Sequence, residues 1–123
     1  AKAEELAALG RKHQRGQVPV QGLGYDQLQG RQFDVVFNAT SASLTAELPP
    51  LSATVFAPGC LAYELAYGKG LTPFLKLASQ AGVTRLADGV GMLAEQAAEA
   101  FEWWRGVRPD TAAVIAQLTV PLV

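Results

Sequence analysis

The 123-residue chain has a single cysteine, a single histidine and a single methionine. A lone Cys60 cannot form an internal disulfide, which excludes a cross-linked extracellular scaffold and makes a reducing cytoplasm the expected setting. One cysteine and one histidine cannot supply the four ligands of a structural zinc site, so no metal is expected. His13 lies in a polar helical stretch without a serine or cysteine partner nearby in sequence, so a Ser-His-Asp site is unsupported. Charge of one sign is scarce too: ten basic and eleven acidic side chains leave a net charge of −1. With no basic stripe, nucleic acid is not the expected partner. No apolar run approaches the roughly 20 residues that cross a bilayer. The opening AKAEELAALG also lacks the apolar stretch of a signal peptide, so no membrane partner is expected. Finally, Gly22-Leu23-Gly24 lacks the third glycine of a dinucleotide fingerprint, and no other Gly-rich phosphate loop occurs.

Half of the residues are hydrophobic, enough for one domain with a core. Residues 1 to about 14 are strong helix formers with Leu6 and Leu9 on one face, stopped by Gly16. Val18 and Val20 around Pro19 suggest a short edge strand. YDQLQG reads as a helical turn closed by Gly30. Phe33 to Phe37 reads as a buried parallel strand, followed by a loop from Asn38 to Pro50 and a short helical turn within 51–57. Cys60 to Tyr67 reads as a second buried strand. Thr72 caps a helix that starts with Pro73 and runs to about Ala81. Gly82 ends that helix, and Val83 to Leu86 forms a third strand. Asp88 caps the longest helix, which runs to Trp104 or Arg105 and stops at Gly106. Pro109 opens a last helix to about Leu118. Strands alternating with helices predict α/β architecture with a parallel sheet.

Four groups of residues are candidates for chemistry. On the long helix, Leu93, Ala97 and Phe101, and Ala100 and Trp104, lie four apart and read as core. Met92 and Gln96 are likewise four apart. Gln96 is the polar exception: its amide suits vicinal hydroxyls of a sugar-like ring, or it satisfies a loop backbone or faces solvent, and spacing alone favours the latter. Gly89 and Gly91 in the first turn imply either a flat ligand against the helix start or tight helix–strand packing. Asn38-Ala39-Thr40-Ser41 follows a strand end, where open α/β sheets bind ligands, although small polar residues also make ordinary loops. Tyr67 offers a phenol to a ligand or is a half-buried aromatic with a wet tip. Cys60 reads as a small buried hydrophobe, and Trp103 and Trp104 read as packing.

Taken in order, DVVFNATS at 34–41, YELAYGKGLTPF at 63–74 and DGVGMLAEQAAEAF at 88–101 resemble the C-terminal part of shikimate dehydrogenases. NATS resembles that family's NATSxG loop, YELAY its YDxxY, DGVGMLAEQA its DGxGMLxxQA, and WRGVRPD at 104–110 its usual ending. The resemblance covers essentially the whole chain. It implies the C-terminal portion of a Rossmann-like parallel sheet with flanking and terminal helices, with residues 1–123 forming part of an NADP-binding domain. It also implies an oxidoreductase that reduces 3-dehydroshikimate to shikimate with NADPH, on the route to chorismate and the aromatic amino acids.

Carried over by position, Tyr67 and Gln96 would contact the shikimate ring. Leu65, Gly89 and Met92 would lie near the nicotinamide, with Asn38, Ala39, Thr40 and Ser41 alongside. Lys2 would be the last position of the N-R-T-x-x-R/K motif that holds the 2′-phosphate of NADP; the Asn-Arg-Thr before it is absent. Three positions depart from the family: Glu64 replaces the Asp of YDxxY, Leu65 a common methionine, and Ser43 the glycine of NATSxG. The family's catalytic Lys and Asp have no counterpart here, so no catalytic residue is assigned and the chain by itself is expected to be an inactive fragment. Alternatives are a quinate-specific or NAD-dependent paralogue and a non-catalytic binding module. Exposed apolar surface around Val35, Phe37 and the long helix, with an unpaired sheet edge, predicts a homodimer.

Overall fold

A computed structural model describes residues 2–42, 45 and 47–123. Three parallel strands form the sheet: β1 (Phe33–Asn38), β2 (Phe56–Glu64) and β3 (Arg85–Ala87), in the spatial order β1-β2-β3. Asn38 stands opposite Glu64, and Tyr63 opposite Ala87, so the three strands finish close together at their carboxyl ends. Among the described residues four α-helices accompany them: α1 (Lys2–His13), α2 (Pro73–Gln80), α3 (Val90–Arg105) and α4 (Ala112–Leu118). Single 3₁₀ turns occupy Tyr25–Leu28 and Ala53–Val55, where helical turns are expected from the sequence.

The period-two alternation of a strand sends neighbouring side chains to opposite faces, and here the two faces differ. Cys60 and Ala62 on one face are fully buried and pack with Phe74, Leu75 and Ala78 of α2, together with Val55, Phe56 and Val83. The rings of Phe56 and Phe74 meet at 6.0 Å. On the other face Val35 is 45% and Phe37 62% exposed, and Phe37 is covered in part by the ring of Tyr63, 5.2 Å away. The expected uncovered surface on β1 is therefore present. The corresponding correction is that β1 is an edge strand, half exposed rather than buried on both faces.

Helix α2 is set by its first two residues. The Thr72 hydroxyl oxygen accepts from the Leu75 N–H, and Pro73 sits at the first position, where its missing N–H costs nothing. Gly82, at φ +87°, ends the helix in the left-handed region that other residues avoid. Gly106 ends α3 in the same way, at φ +70°.

Several sequence expectations need correction. Residues 18–20 form no strand: the Val20 carbonyl accepts from the Arg11 guanidinium at 2.7 Å, a side chain rather than a ladder, and Pro19 has no N–H to offer one. Strand β2 runs from Phe56 to Glu64, earlier than expected at both ends, and leaves Tyr67 three residues beyond it. The third strand is Arg85–Ala87, and the last helix begins at Ala112 rather than Pro109. On α3 the buried stripe is Val90, Ala94 and Ala98, whereas Phe101, Trp103 and Trp104 are exposed. Ala94, Ala97, Ala98 and Phe101 line a small cavity with Pro109 and Val114 of the segment leading into α4, whereas Trp103 and Trp104 lie on another side of the helix. On α1, Ala7 is buried while Leu6 and Leu9 remain mostly exposed.

Candidate functional site

The carboxyl ends of the strands bring three chain segments together. The Leu65 N–H donates to the Asn38 carbonyl at 3.0 Å, joining the loop after β2 to the end of β1. The Gly89 N–H donates to the Ala66 carbonyl at 3.3 Å, joining the start of α3 to the same loop. Gly89 is the N-cap of α3, a role that the sequence assigns to Asp88. Asp88 still assists: its Oδ1 accepts from the Val90 N–H at 3.1 Å, while its Oδ2 is buried without a partner.

The two glycines of the first turn differ. A Cβ on Gly89 would stand 2.1 Å from the Leu65 carbonyl oxygen and 3.4 Å from the Tyr67 ring. Tight internal packing thus accounts for Gly89. A Cβ on Gly91 would meet no atom within 4 Å. The space above Gly91 is open, as a flat ligand against the helix start requires.

Asn38 is buried, and both ends of its amide are used. Its Nδ2 donates to Glu64 Oε2 at 2.9 Å, and its Oδ1 accepts from the Thr40 hydroxyl at 2.8 Å and the Thr40 N–H at 3.2 Å. Ala39, Thr40 and Ser41 are exposed beside it. Thr40 and Ser41 line a cavity of about 460 Å³ with Tyr25, Ala42, Leu48 and Pro49. Two larger cavities, about 770 Å³ each, lie between α1 and residues 14–23. They reflect the light packing of α1 and contain none of the strand-end residues. Ser43 lies outside the described residues.

Glu64 is the residue whose importance the sequence reading understates. It is fully buried, accepts from Asn38 Nδ2, from the Thr72 hydroxyl at 3.0 Å, and from the Ala66 N–H at 3.3 Å. A signal was available: Glu64 continues the period-two row Cys60, Ala62, Glu64, so it shares the buried face of an apolar strand. A charge there requires partners.

Of the other predicted residues, Leu65 is half-buried, and Tyr67 and Met92 are 47% and 41% exposed. Met92 lies in the first turn of α3. Gln96 is exposed a turn further on, in a shallow groove with Glu99, Ala100, Trp103 and Trp104. Lys2 is exposed at the first residue of α1 and takes no part in the bonds that join the three segments. Cys60 is buried, and burial pushes its thiol up, which suits an inert core position. Among the described residues no cluster of His, Cys, Asp and Glu could hold a metal, and no helix is long and apolar enough to cross a membrane.

Parallel strands whose loops converge at their carboxyl ends define an open-sheet α/β domain of the Rossmann-like class, in which ligands generally bind at those ends. Residues 89–119 match the shikimate 5′-dehydrogenase C-terminal domain. The NADP(+) shikimate dehydrogenase of Dechloromonas aromatica is 57% identical over 105 residues, which is 85% of this chain and 38% of that enzyme. The crystal structure of an Ael1 enzyme from Pseudomonas putida is 62% identical with a TM-score of 0.85, over 97% of this chain and 43% of that one. A shikimate dehydrogenase in complex with NADP+ is 28% identical with a TM-score of 0.75, over 95% of this chain and 42% of that one. The chain belongs to the shikimate dehydrogenase family, as a counterpart of its C-terminal part. It spans about two fifths of the length of the curated relatives it matches.

Proposed function

We propose that residues 1–123 form part of the NADP-binding domain, with the C-terminal helices, of a shikimate dehydrogenase. The carrying observation is the pair of backbone bonds, Leu65 to Asn38 and Gly89 to Ala66, that draw the three family blocks into one strand-end site. The 57% identity to an enzyme named for NADP(+) supports the cofactor. When bound, NADPH supplies a hydride to the ring ketone of 3-dehydroshikimate. The open space at Gly91 leaves room for the nicotinamide end of such a cofactor against the start of α3.

On this reading Asn38, Ala39, Thr40, Ser41, Leu65, Gly89 and Met92 line the cofactor side, with Lys2 toward its 2′-phosphate. Tyr67 and Gln96 hold the shikimate ring by hydrogen bonds and contribute to rate through geometry. No group of this chain is assigned proton transfer; the family's Lys–Asp pair performs it in the whole enzyme. A reducing cytoplasm suits the buried free thiol of Cys60. The edge strand β1, with Val35 and Phe37 exposed, suits a homodimer.

Calorimetric titration of the chain with NADP+ and, separately, with shikimate tests the reading. Binding of either ligand is expected, with Gln96→Ala weakening shikimate and sparing NADP+. If neither ligand binds, joining the chain to the N-terminal remainder of the Dechloromonas aromatica enzyme should restore shikimate oxidation. A soluble, folded hybrid without activity overturns the reading.

A further inference from the structure

We propose that Glu64 is a positioning residue that holds the cofactor-side loop and the substrate-side loop in a fixed relation. Its carboxylate lies at the end of the central strand and is fully buried. Each oxygen serves a different segment. Oε2 accepts from Asn38 Nδ2 at 2.9 Å and from the Thr72 hydroxyl at 3.0 Å; Oε1 accepts from the Ala66 N–H at 3.3 Å. Beyond Asn38 the chain of bonds continues, because Asn38 Oδ1 takes both donors of Thr40. Beyond Ala66 it reaches Tyr67 on one side and, through the Ala66 carbonyl, the Gly89 N–H on the other.

The donors and acceptors around Glu64 fix one arrangement. Asn38 must point its NH₂ at the carboxylate, since its oxygen already accepts from Thr40. The Thr72 hydroxyl gives its single proton to Glu64 and keeps a lone pair for the Leu75 N–H. No neutral side chain offers acceptors in all three directions. Glutamine at 64 has one oxygen; if that keeps Asn38 and Thr72, its NH₂ faces the Ala66 N–H, donor against donor. Glu64→Gln thus releases the Tyr67 loop while leaving the Asn38–Ser41 loop tied. Thr72→Val removes one donor to the same carboxylate, on the α2 side only.

The role of these loops in ligand binding rests on the proposed function; the positioning itself does not. The experiment has two parts, on the 123-residue chain. Amide hydrogen exchange is followed at Thr40, Ala66 and Leu75 in the wild type, Glu64→Gln and Thr72→Val. Glu64→Gln is expected to speed Ala66 exchange about tenfold relative to Thr40 and Leu75, the loss of a bond to a charged acceptor. Thr72→Val should instead speed Leu75 and leave Ala66 protected. Equal acceleration at all three sites in both variants, or no change at Ala66 in Glu64→Gln, overturns the proposal. If Glu64→Gln does not fold, Glu64→Asp keeps both acceptor oxygens and should retain Ala66 protection relative to Leu75; its loss overturns the proposal equally. In the second part, shikimate and NADP+ are titrated. Glu64→Gln should weaken shikimate about tenfold and leave NADP+ within about twofold. Equal weakening of both ligands counts against the proposal. If the wild-type chain binds neither ligand, the titrations are made on the hybrid with the N-terminal remainder of the Dechloromonas aromatica enzyme, whose inactivity defeats the reading of the site, while the exchange pattern on the chain still decides the role of Glu64.

Discussion

Gly89 lies so close to the Leu65 carbonyl that a Cβ placed on it would sit 2.1 Å from that oxygen. The contact is backbone against backbone, so no flexible side chain can yield. Gly89→Ala is therefore expected to push the 65–67 loop away from α3. It should cost roughly 1–3 kcal/mol, the usual range for overpacking, read as a lower midpoint of urea unfolding with unchanged slope. Because Tyr67 moves with the loop, shikimate affinity should fall as well.

Gly91, two residues on, is the matched control. Nothing stands within 4 Å of its added Cβ, and its backbone is helical. Gly91→Ala should stabilise the chain by up to about 1 kcal/mol, because alanine loses less backbone freedom than glycine. If a nicotinamide occupies the open space, the same substitution weakens NADP+ binding although the fold is firmer. Greater stability with unaltered NADP+ affinity would place the cofactor elsewhere.

The readability of this fold varied with how local its causes are. Thr72-Pro73, Gly82 and Gly106 announce helix ends through capping and left-handed geometry within a few residues, and the structure agrees at each. Apolar runs mark all three strands and place β1 within one residue, but the limits of β2 and β3 depend on their partners, such as Leu61 opposite Arg85, and are shifted from those the sequence implies. The buried side of α3 was misassigned for a related reason. Phe101 and Trp104 look like core by hydrophobicity, yet the positions that end up buried are Val90, Ala94 and Ala98, which depends on the elements that pack against α3 and not on the helix's own residues. The strand-end blocks of the site were legible through the family resemblance. The burial of Glu64 is signalled by its place in the row Cys60, Ala62, Glu64, but its partners Asn38, Ala66 and Thr72 come from three separate segments that only the fold brings together.

Arg108 fastens the segment before α4 to α3. Its guanidinium bonds Glu99 at 2.6 Å, Glu95 at 2.8 Å and Glu102 at 3.0 Å, while the Thr111 hydroxyl donates to Glu95 at 2.6 Å. The Thr111 hydroxyl first, and Arg108 second, hold the Glu95 carboxyl below its ordinary 4.5. A depressed folded value means stabilisation that is complete above the unfolded value and disappears as pH falls through the folded one. Docking of α4 should therefore loosen below about pH 4.5, seen as faster amide exchange in Ala112–Leu118 at pH 3 than at pH 6 after correction for intrinsic rates. Arg108→Gln should show the loosened pattern already at neutral pH. These groups are exposed, so added salt should weaken the wild-type effect. Unchanged exchange in the variant would mean that the apolar contacts of Ala94, Ala98 and Val114 hold α4 alone.

Among the described residues strand β1 has no second strand partner, and its apolar face is uncovered, with Val35 45% and Phe37 62% exposed. Backbone groups on an open edge can pair with another strand, and apolar side chains on the same strand add a driving force for burial. The isolated chain is expected to self-associate, with a weight-average mass in sedimentation that rises above 13.0 kDa as concentration increases. Phe37→Lys places a charge in that face, where pairing with a second copy would bury it. It touches the ring of Tyr63 but none of the residues packed against α2. The variant should sediment as a monomer with its thermal midpoint little changed. Association that persists in Phe37→Lys would move the contact to the other exposed aromatic surface, Trp103 and Trp104 on α3, which Trp103→Lys then tests in the same way.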